Sequence, residues 1–128
     1  MNAAFDMEIR LRLLTLLQKE SQLTQREMTQ KMGVSLGKIN YCISELSQKG
    51  MIKVERFKKS KNKSAYIYRL TPFGLEELAT LTLSFLKNKI REYDRIKMEI
   101  KSLLEQAREM DSKFADDTDL LEALKNKS

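Results

Sequence analysis

Two helix-start signals eleven residues apart, with a glycine between them, constrain this chain more than any other feature. Leu23-Thr24-Gln25-Arg26-Glu27-Met28 holds a capping box, Thr24 with Glu27, and a hydrophobic staple, Leu23 with Met28. Gly33 then supplies a turn, and Ser35 is a second N-cap with its own staple, Val34 to Ile39. The helix that starts at Thr24 is therefore short and buries Met28 and Met32. The next runs from Leu36 to about Lys49 and buries Ile39, Ile43 and Leu46. Gly50 at C′, with Met51 placed against Leu46, marks its end as a Schellman motif. Two short capped helices joined by a glycine turn form a helix-turn-helix.

The flanking sequence completes a small domain. From Asp6 to Gln18 the apolar residues Ile9, Leu13, Leu16 and Leu17 recur at helical spacing, which predicts a preceding helix one and makes the capped pair helices two and three. Met51–Phe57 and Ala65–Leu70 are β-branched and aromatic stretches with partial alternation, and they read as a hairpin, or wing, with a seven-residue basic tip at 58–64. Thr71-Pro72 is an N-cap followed by proline at the first helical position. Helix-compatible sequence then continues to about Asp111, a rod of roughly 60 Å at 1.5 Å per residue.

Such a rod needs a partner. Tyr93, Ile96, Ile100, Leu103, Ala107, Met110 and Phe114 follow 3,4 spacing, an a/d seam of about three heptads that predicts a homodimer. The same register places Lys89 and Thr82 on the seam upstream, so regular pairing weakens there and the run Leu78–Leu86 is expected to pack on the winged domain. Leu120, Leu121 and Leu124 leave the tail as either a short helix or disorder. The expected class is mainly α with a small β-hairpin: a winged helix-turn-helix in residues 1–74, a dimerisation helix in 75–114 and a polar tail in 115–128.

Composition excludes several kinds of chemistry. The chain has one cysteine, Cys42, and no histidine, so no internal disulfide or zinc site is expected, and Cys42 reads as a small core residue rather than a redox sensor. No glycine-rich phosphate loop or nucleophile elbow interrupts the helical pattern. Neither a cofactor nor enzymatic activity is expected. No apolar run spans a membrane and the start lacks the form of a signal peptide, so a cytoplasmic protein with no membrane partner is expected. Charge is uneven: residues 1–71 carry 14 Lys/Arg against 6 Asp/Glu, while 72–128 carry 10 against 12. A basic front half suits a polyanion, and charge alone leaves DNA, RNA and acidic lipid open.

Helix three narrows the choice. Gly37 falls in its first turn and Lys38 at N3, where glycine costs about 1 kcal/mol relative to alanine and a cation opposes the macrodipole. Violations of local preference are expected where function overrides stability. Gly37 would let the helix start, Ser35 and Leu36, approach a surface closely, and Lys38 would sit beside backbone N–H groups able to bind phosphate. Asn40 can pair bidentately with adenine, Tyr41 can touch a thymine methyl or a phosphate, and Ser44 lies a turn later. Read structurally instead, Lys38 is a solvated helix end, Asn40 a solvated polar position and Tyr41 a cap on the core edge. Thr24, Gln25 and Arg26 open the helix that crosses the DNA backbone in this motif. Lys58, Lys59, Lys61, Asn62 and Lys63 crown the wing, where such charge reaches phosphate or a minor groove unless it is only a solvated loop.

Gln25-Arg26-Glu27, Gly33-Val34-Ser35, Lys49-Gly50-Met51-Ile52 and Leu70-Thr71-Pro72-Phe73-Gly74 resemble the multiple-antibiotic-resistance regulator (MarR) family. Gly33–Cys42, Phe57–Lys63 and Leu70–Ile100 are similar to the MarR-type regulators associated with exopolysaccharide gene clusters, and the similarity covers about residues 6–105. The resemblance implies a bacterial dimeric repressor or activator whose third helix enters the major groove of an inverted-repeat operator and whose wing contacts flanking backbone. Typical members start with an extra N-terminal helix that shares in dimerisation and ligand binding, whereas here helix one begins almost at once, so no effector residues are assigned. Two other readings remain. A winged-helix protein-interaction module would be favoured if helix three and the wing lysines were dispensable. RNA binding lacks the paired exposed aromatics of a stacking platform.

Overall fold

The computed structural model describes residues 3–60, 63–110 and 117–126. In chain order these form α1 (Ala3–Lys19), α2 (Gln25–Met32), α3 (Leu36–Gln48), β1 (Ile52–Ser60), β2 (Lys63–Leu70), α4 (Pro72–Met110) and α5 (Thr118–Lys125). The chain divides into two compact units, 1–85 and 86–128.

The predicted caps are present in the first unit. Thr24 and Glu27 exchange both bonds of the capping box at 3.1 Å. Gly33 ends α2 in the left-handed region at φ 66° and donates to Thr29 O. Ser35 Oγ accepts from the Lys38 amide at 3.2 Å. After α3, Met51 N donates to Leu46 O at 2.9 Å and Gly50 N to Ser47 O at 3.1 Å, the two bonds of a Schellman motif, with Gly50 at φ 75°.

One core joins these elements. Ile9, Leu13, Leu14 and Leu17 of α1 meet Met28 and Met32 of α2, Ile39, Ile43 and Leu46 of α3, and Met51, Ile52 and Tyr68 at the base of the wing. Among the described residues no polar or charged side chain other than tyrosine is buried. Leu14, which the sequence periodicity passed over, is fully buried, whereas Leu16 is only partly so. Tyr68 N also donates to Ser21 O at 2.8 Å, tying the α1–α2 connection to β2.

The wing is longer and its tip tighter than expected. Antiparallel pairing runs from Ile52↔Leu70 through Lys58↔Ser64 to Ser60↔Lys63, with an irregularity at Lys59. Lys58, Lys59 and Lys63 therefore stand on strands rather than in a seven-residue loop, while Lys61 and Asn62 lie outside the described residues. Met51 precedes β1 instead of opening it.

At the start of α4, Thr71 Oγ1 accepts from the Gly74 amide at 3.0 Å, the N-cap that Thr71-Pro72 predicts. The same hydroxyl donates to Gly50 O, and Thr71 N donates to Met51 O at 3.0 Å. Of the apolar run expected to pack on the winged domain, Leu78 and Leu81 are buried but Leu83 and Leu86 are exposed. A continuous run cannot bury every residue on one side of a helix, because only every third or fourth residue points the same way.

In the second unit Tyr93, Ile96, Ile100, Leu103 and Met110 are 43% to 74% exposed and Ala107 is half-buried, while Phe114 lies outside the described residues. Leu86 and Ile90 are exposed as well and lead into Tyr93 at steps of four and three. The stripe thus continues upstream of Tyr93, with one three-residue insertion in its heptad rhythm between Tyr93 and Ile96. The tail forms α5, and Asp117 Oδ1 accepts from the Leu120 amide at 2.9 Å.

Candidate nucleic-acid interface

The buried stripe Ile39–Ile43–Leu46 fixes how α3 is rotated. Gly37, Tyr41 and Ser44 fall on the opposite, outward side at helical spacing, together with Gln48, which the sequence reading did not single out. Leu36 at the first helical position is exposed too. An added Cβ on Gly37 would meet nothing within 4 Å.

The residues on the two flanks of that side are engaged by neighbouring elements. Lys38 is turned toward α1, where its Nζ lies 2.6 Å from Asp6 Oδ1 and its side chain is only 11% exposed. Hydrogen bonding to Asp6 holds the Lys38 amine above its ordinary pKa. The sequence reading set Lys38 beside the backbone N–H groups of the helix start; an acidic residue within reach on α1, invisible to periodicity, draws it sideways. Its Nζ lies 5.4 Å from the Tyr41 ring centroid, while Tyr41 itself is 56% exposed. The Glu45 carboxylate raises the Tyr41 phenol and is itself held below the usual carboxylate range first by Arg10, 2.7 Å away. Cys42 lines the same α1–α3 groove, half-buried, and burial pushes its thiol up. It is a core-edge residue with suppressed thiolate character, not an activated one.

On the other flank Asn40 faces α2. Its Nδ2 donates to Gln25 Oε1 at 3.3 Å, and Gln25 Nε2 donates to the hydroxyl of buried Tyr68 at 3.5 Å. Gln25, expected to point outward with Thr24 and Arg26, is instead half-buried between α3 and the wing; Arg26 is exposed.

Residues opposite one another in an antiparallel pair share a sheet face. Val54↔Tyr68, Arg56↔Tyr66 and Lys58↔Ser64 therefore form one row that starts at the core and runs toward the wing tip. Tyr66 is 6.3 Å from Tyr68, and Arg56, Lys58 and Tyr66 are exposed. Arg56 and Tyr66 are surface candidates that the sequence reading missed; the two-residue alternation counted outward from Ile52 and Tyr68 would have found them. The opposite face carries Lys53 and Arg69, each 3.7 Å from Glu55, exposed pairs that contribute little.

The fold is a winged helix-turn-helix, and residues 8–53 match the family profile described as winged helix-turn-helix DNA-binding. No curated protein sequence matches the chain. Among solved structures, the chain is similar to the PcaV transcriptional regulator from Streptomyces coelicolor, determined with its natural ligand. The two are 19% identical, with 79% of this chain and 73% of that one covered and a TM-score of 0.58. It is also similar to a MarR/EmrR family transcriptional regulator from Acinetobacter sp. ADP1 (17% identity, 80% and 76% covered, TM-score 0.53). A third neighbour is a mutant of S. aureus MepR bound to an oligodeoxyribonucleotide (15% identity, 80% and 78% covered, TM-score 0.53). The fold is that of MarR-like regulators: a winged helix-turn-helix followed by a long C-terminal helix. No helix among the described residues is long and apolar enough to cross a membrane.

Proposed function

We propose that the protein is a non-enzymatic, cytoplasmic transcription regulator that binds an inverted-repeat operator in double-stranded DNA as a homodimer. The outward side of α3, with Ser35, Leu36, Gly37, Tyr41 and Ser44 and with Asn40 at its edge, enters the major groove and reads bases. Thr24 and Arg26 meet phosphates where α2 crosses the backbone, and Lys38 does so from the α1 side of α3. Lys58, Lys59, Lys61, Asn62 and Lys63 carry the wing onto flanking backbone. The exposed stripe from Tyr93 to Met110, continued by Phe114, pairs two copies. The likeness of Gly33–Cys42, Phe57–Lys63 and Leu70–Ile100 to exopolysaccharide-associated regulators points to genes of that type as targets.

Gly37 is the observation that carries this reading. Of the four glycines, Gly33 and Gly50 have positive φ and Gly74 abuts a backbone carbonyl, so the fold itself requires all three. Gly37 has ordinary helical backbone and open space where a Cβ would stand, yet it occupies a helix start where alanine is the better residue. Its smallness serves something outside the chain, as a helix pressed into a groove requires. The fold shared with a DNA-bound neighbour supports the same conclusion.

Footprinting on the DNA upstream of the protein's own gene tests it. Two α3 helices related by a two-fold axis should protect half-sites about 10 base pairs apart, or a multiple of that. Asn40→Ala should cost about 1–3 kcal/mol on that site and almost nothing on random DNA. Equal binding of operator and random duplex by the parent protein would refute the reading and favour a protein-interaction module.

A further inference from the structure

We infer that Gln25 is the positioning residue for base readout: it holds the Asn40 amide in one orientation and thereby determines which base that residue accepts. The inference rests on the assignment of Asn40 as a base reader. A side-chain amide is a swivelling group whose carbonyl and amino ends exchange places by rotation about a soft torsion. An exposed asparagine with nothing to hold it can therefore present either end to a base edge. Asn40 is held: its Nδ2 donates to Gln25 Oε1 at 3.3 Å. Gln25 is held in turn by the hydroxyl of Tyr68, a residue that is 5% exposed and part of the core. A core-anchored residue of β2 thus sets Gln25, and Gln25 sets Asn40.

The arrangement has a chemical consequence. One amide hydrogen of Asn40 is consumed by Gln25, which leaves Oδ1 and one N–H for the DNA. An acceptor next to a donor is the complement of adenine, which offers the N6 amino group and N7 in the major groove. It is a poor match for guanine, whose O6 and N7 both accept. The hydrogen-bond acceptor at Gln25 therefore selects adenine over guanine without touching the base.

The test measures relative affinity of the full-length protein for its footprinted operator with each half-site position changed in turn to the other three base pairs. Folding of every variant is checked by circular dichroism. Asn40→Ala locates the position it reads, where the parent should prefer adenine roughly 5- to 150-fold. Gln25→Met keeps the length of the side chain but removes the acceptor, and should reduce the preference at that position alone to less than one third of its parental value. Gln25→Glu keeps the acceptor and should retain the preference, while its negative charge lowers affinity for all sequences alike. Gln25→Met that binds all sequences more weakly but keeps the adenine preference would make Gln25 a phosphate contact and overturn the inference. Loss of preference in Gln25→Glu, or at several positions in Gln25→Met, would overturn it too. If Asn40→Ala alters no position, the base-reading assignment itself fails, a result distinct from the others.

Discussion

Adding one methyl group to Gly74 and adding one to Gly37 should change stability in opposite directions. In a helix, glycine to alanine normally stabilises by up to about 1 kcal/mol. Gly37 has nothing within 4 Å of a built Cβ, so Gly37→Ala should realise much of that gain. At Gly74 the same Cβ would stand 1.9 Å from the carbonyl oxygen of Met51 and 2.9 Å from its carbonyl carbon. That oxygen would have to retreat by at least 1 Å to reach even a 3.0 Å contact, while it also accepts from Thr71 N at 3.0 Å. Overpacking of this kind costs about 1–3 kcal/mol, and a weakened buried hydrogen bond adds about 1. Set against the propensity gain, Gly74→Ala should lose about 2 kcal/mol, a fall in Tm of roughly 6–10 °C for a chain of this size. Urea unfolding of parent and both variants at one fixed protein concentration measures the difference, since dimerisation would otherwise shift the midpoints. Gly37→Ala should at the same time weaken operator binding. A Gly74→Ala protein as stable as Gly37→Ala would show that the approach of α4 to Met51 is not close, and the reasoning would fail.

Light scattering should report about twice the 15.0 kDa chain mass, and Ile100→Asp with Leu103→Asp should halve it without unfolding the winged domain, because both side chains are exposed within one chain. Replacing Lys58, Lys59, Lys61 and Lys63 by alanine should flatten the dependence of log affinity on log salt by about 0.9 for each phosphate the wing no longer neutralises; an unchanged slope would make the wing a solvated loop. Because Arg10 lowers the Glu45 pKa, their pair stabilises above the ordinary carboxylate pKa and ceases to do so as pH falls through the lowered value. Thermal melts of Arg10→Met should therefore lie below the parent at pH 7 and converge with it as pH falls below about 4. Burial raises the Cys42 thiol, so alkylation by iodoacetamide at pH 8 should be slower than that of a free thiol and accelerate only at more alkaline pH.

Local chemistry made much of this molecule readable. The caps at Thr24, Ser35 and Thr71, the Schellman end at Gly50 and the core stripes of α2 and α3 each follow from residues within one or two turns, and each is present. Expectations diverged where long-range geometry decides. The pull of Asp6 on Lys38 spans 32 residues and that of Gln25 on Asn40 spans 15, so spacing along one helix could place both side chains on a surface arc but not say what would seize them. The wing shows a third kind of divergence. Lysine and serine at 58–64 have low strand preference, yet pairing continues through most of them because the ladder bonds are made by backbone, whatever the side chain. Leu14 lay beside the helical stripe counted from Ile9 and is buried because α1 is enclosed on more than one side.

The hydroxyl of Thr71 has a mechanical meaning. It grips the glycine that closes the Schellman end of α3 through Gly50 O and the first turn of α4 through the Gly74 amide, and the adjacent backbone closes a second clasp on Met51. The joint between the end of α3 and the root of α4 is thus soldered rather than hinged. The first turn of α4 and the residues that end α3 are thereby linked through three hydrogen bonds. Loosening Thr71 by substitution would free the end of α3 and the root of α4 to move against one another at this joint.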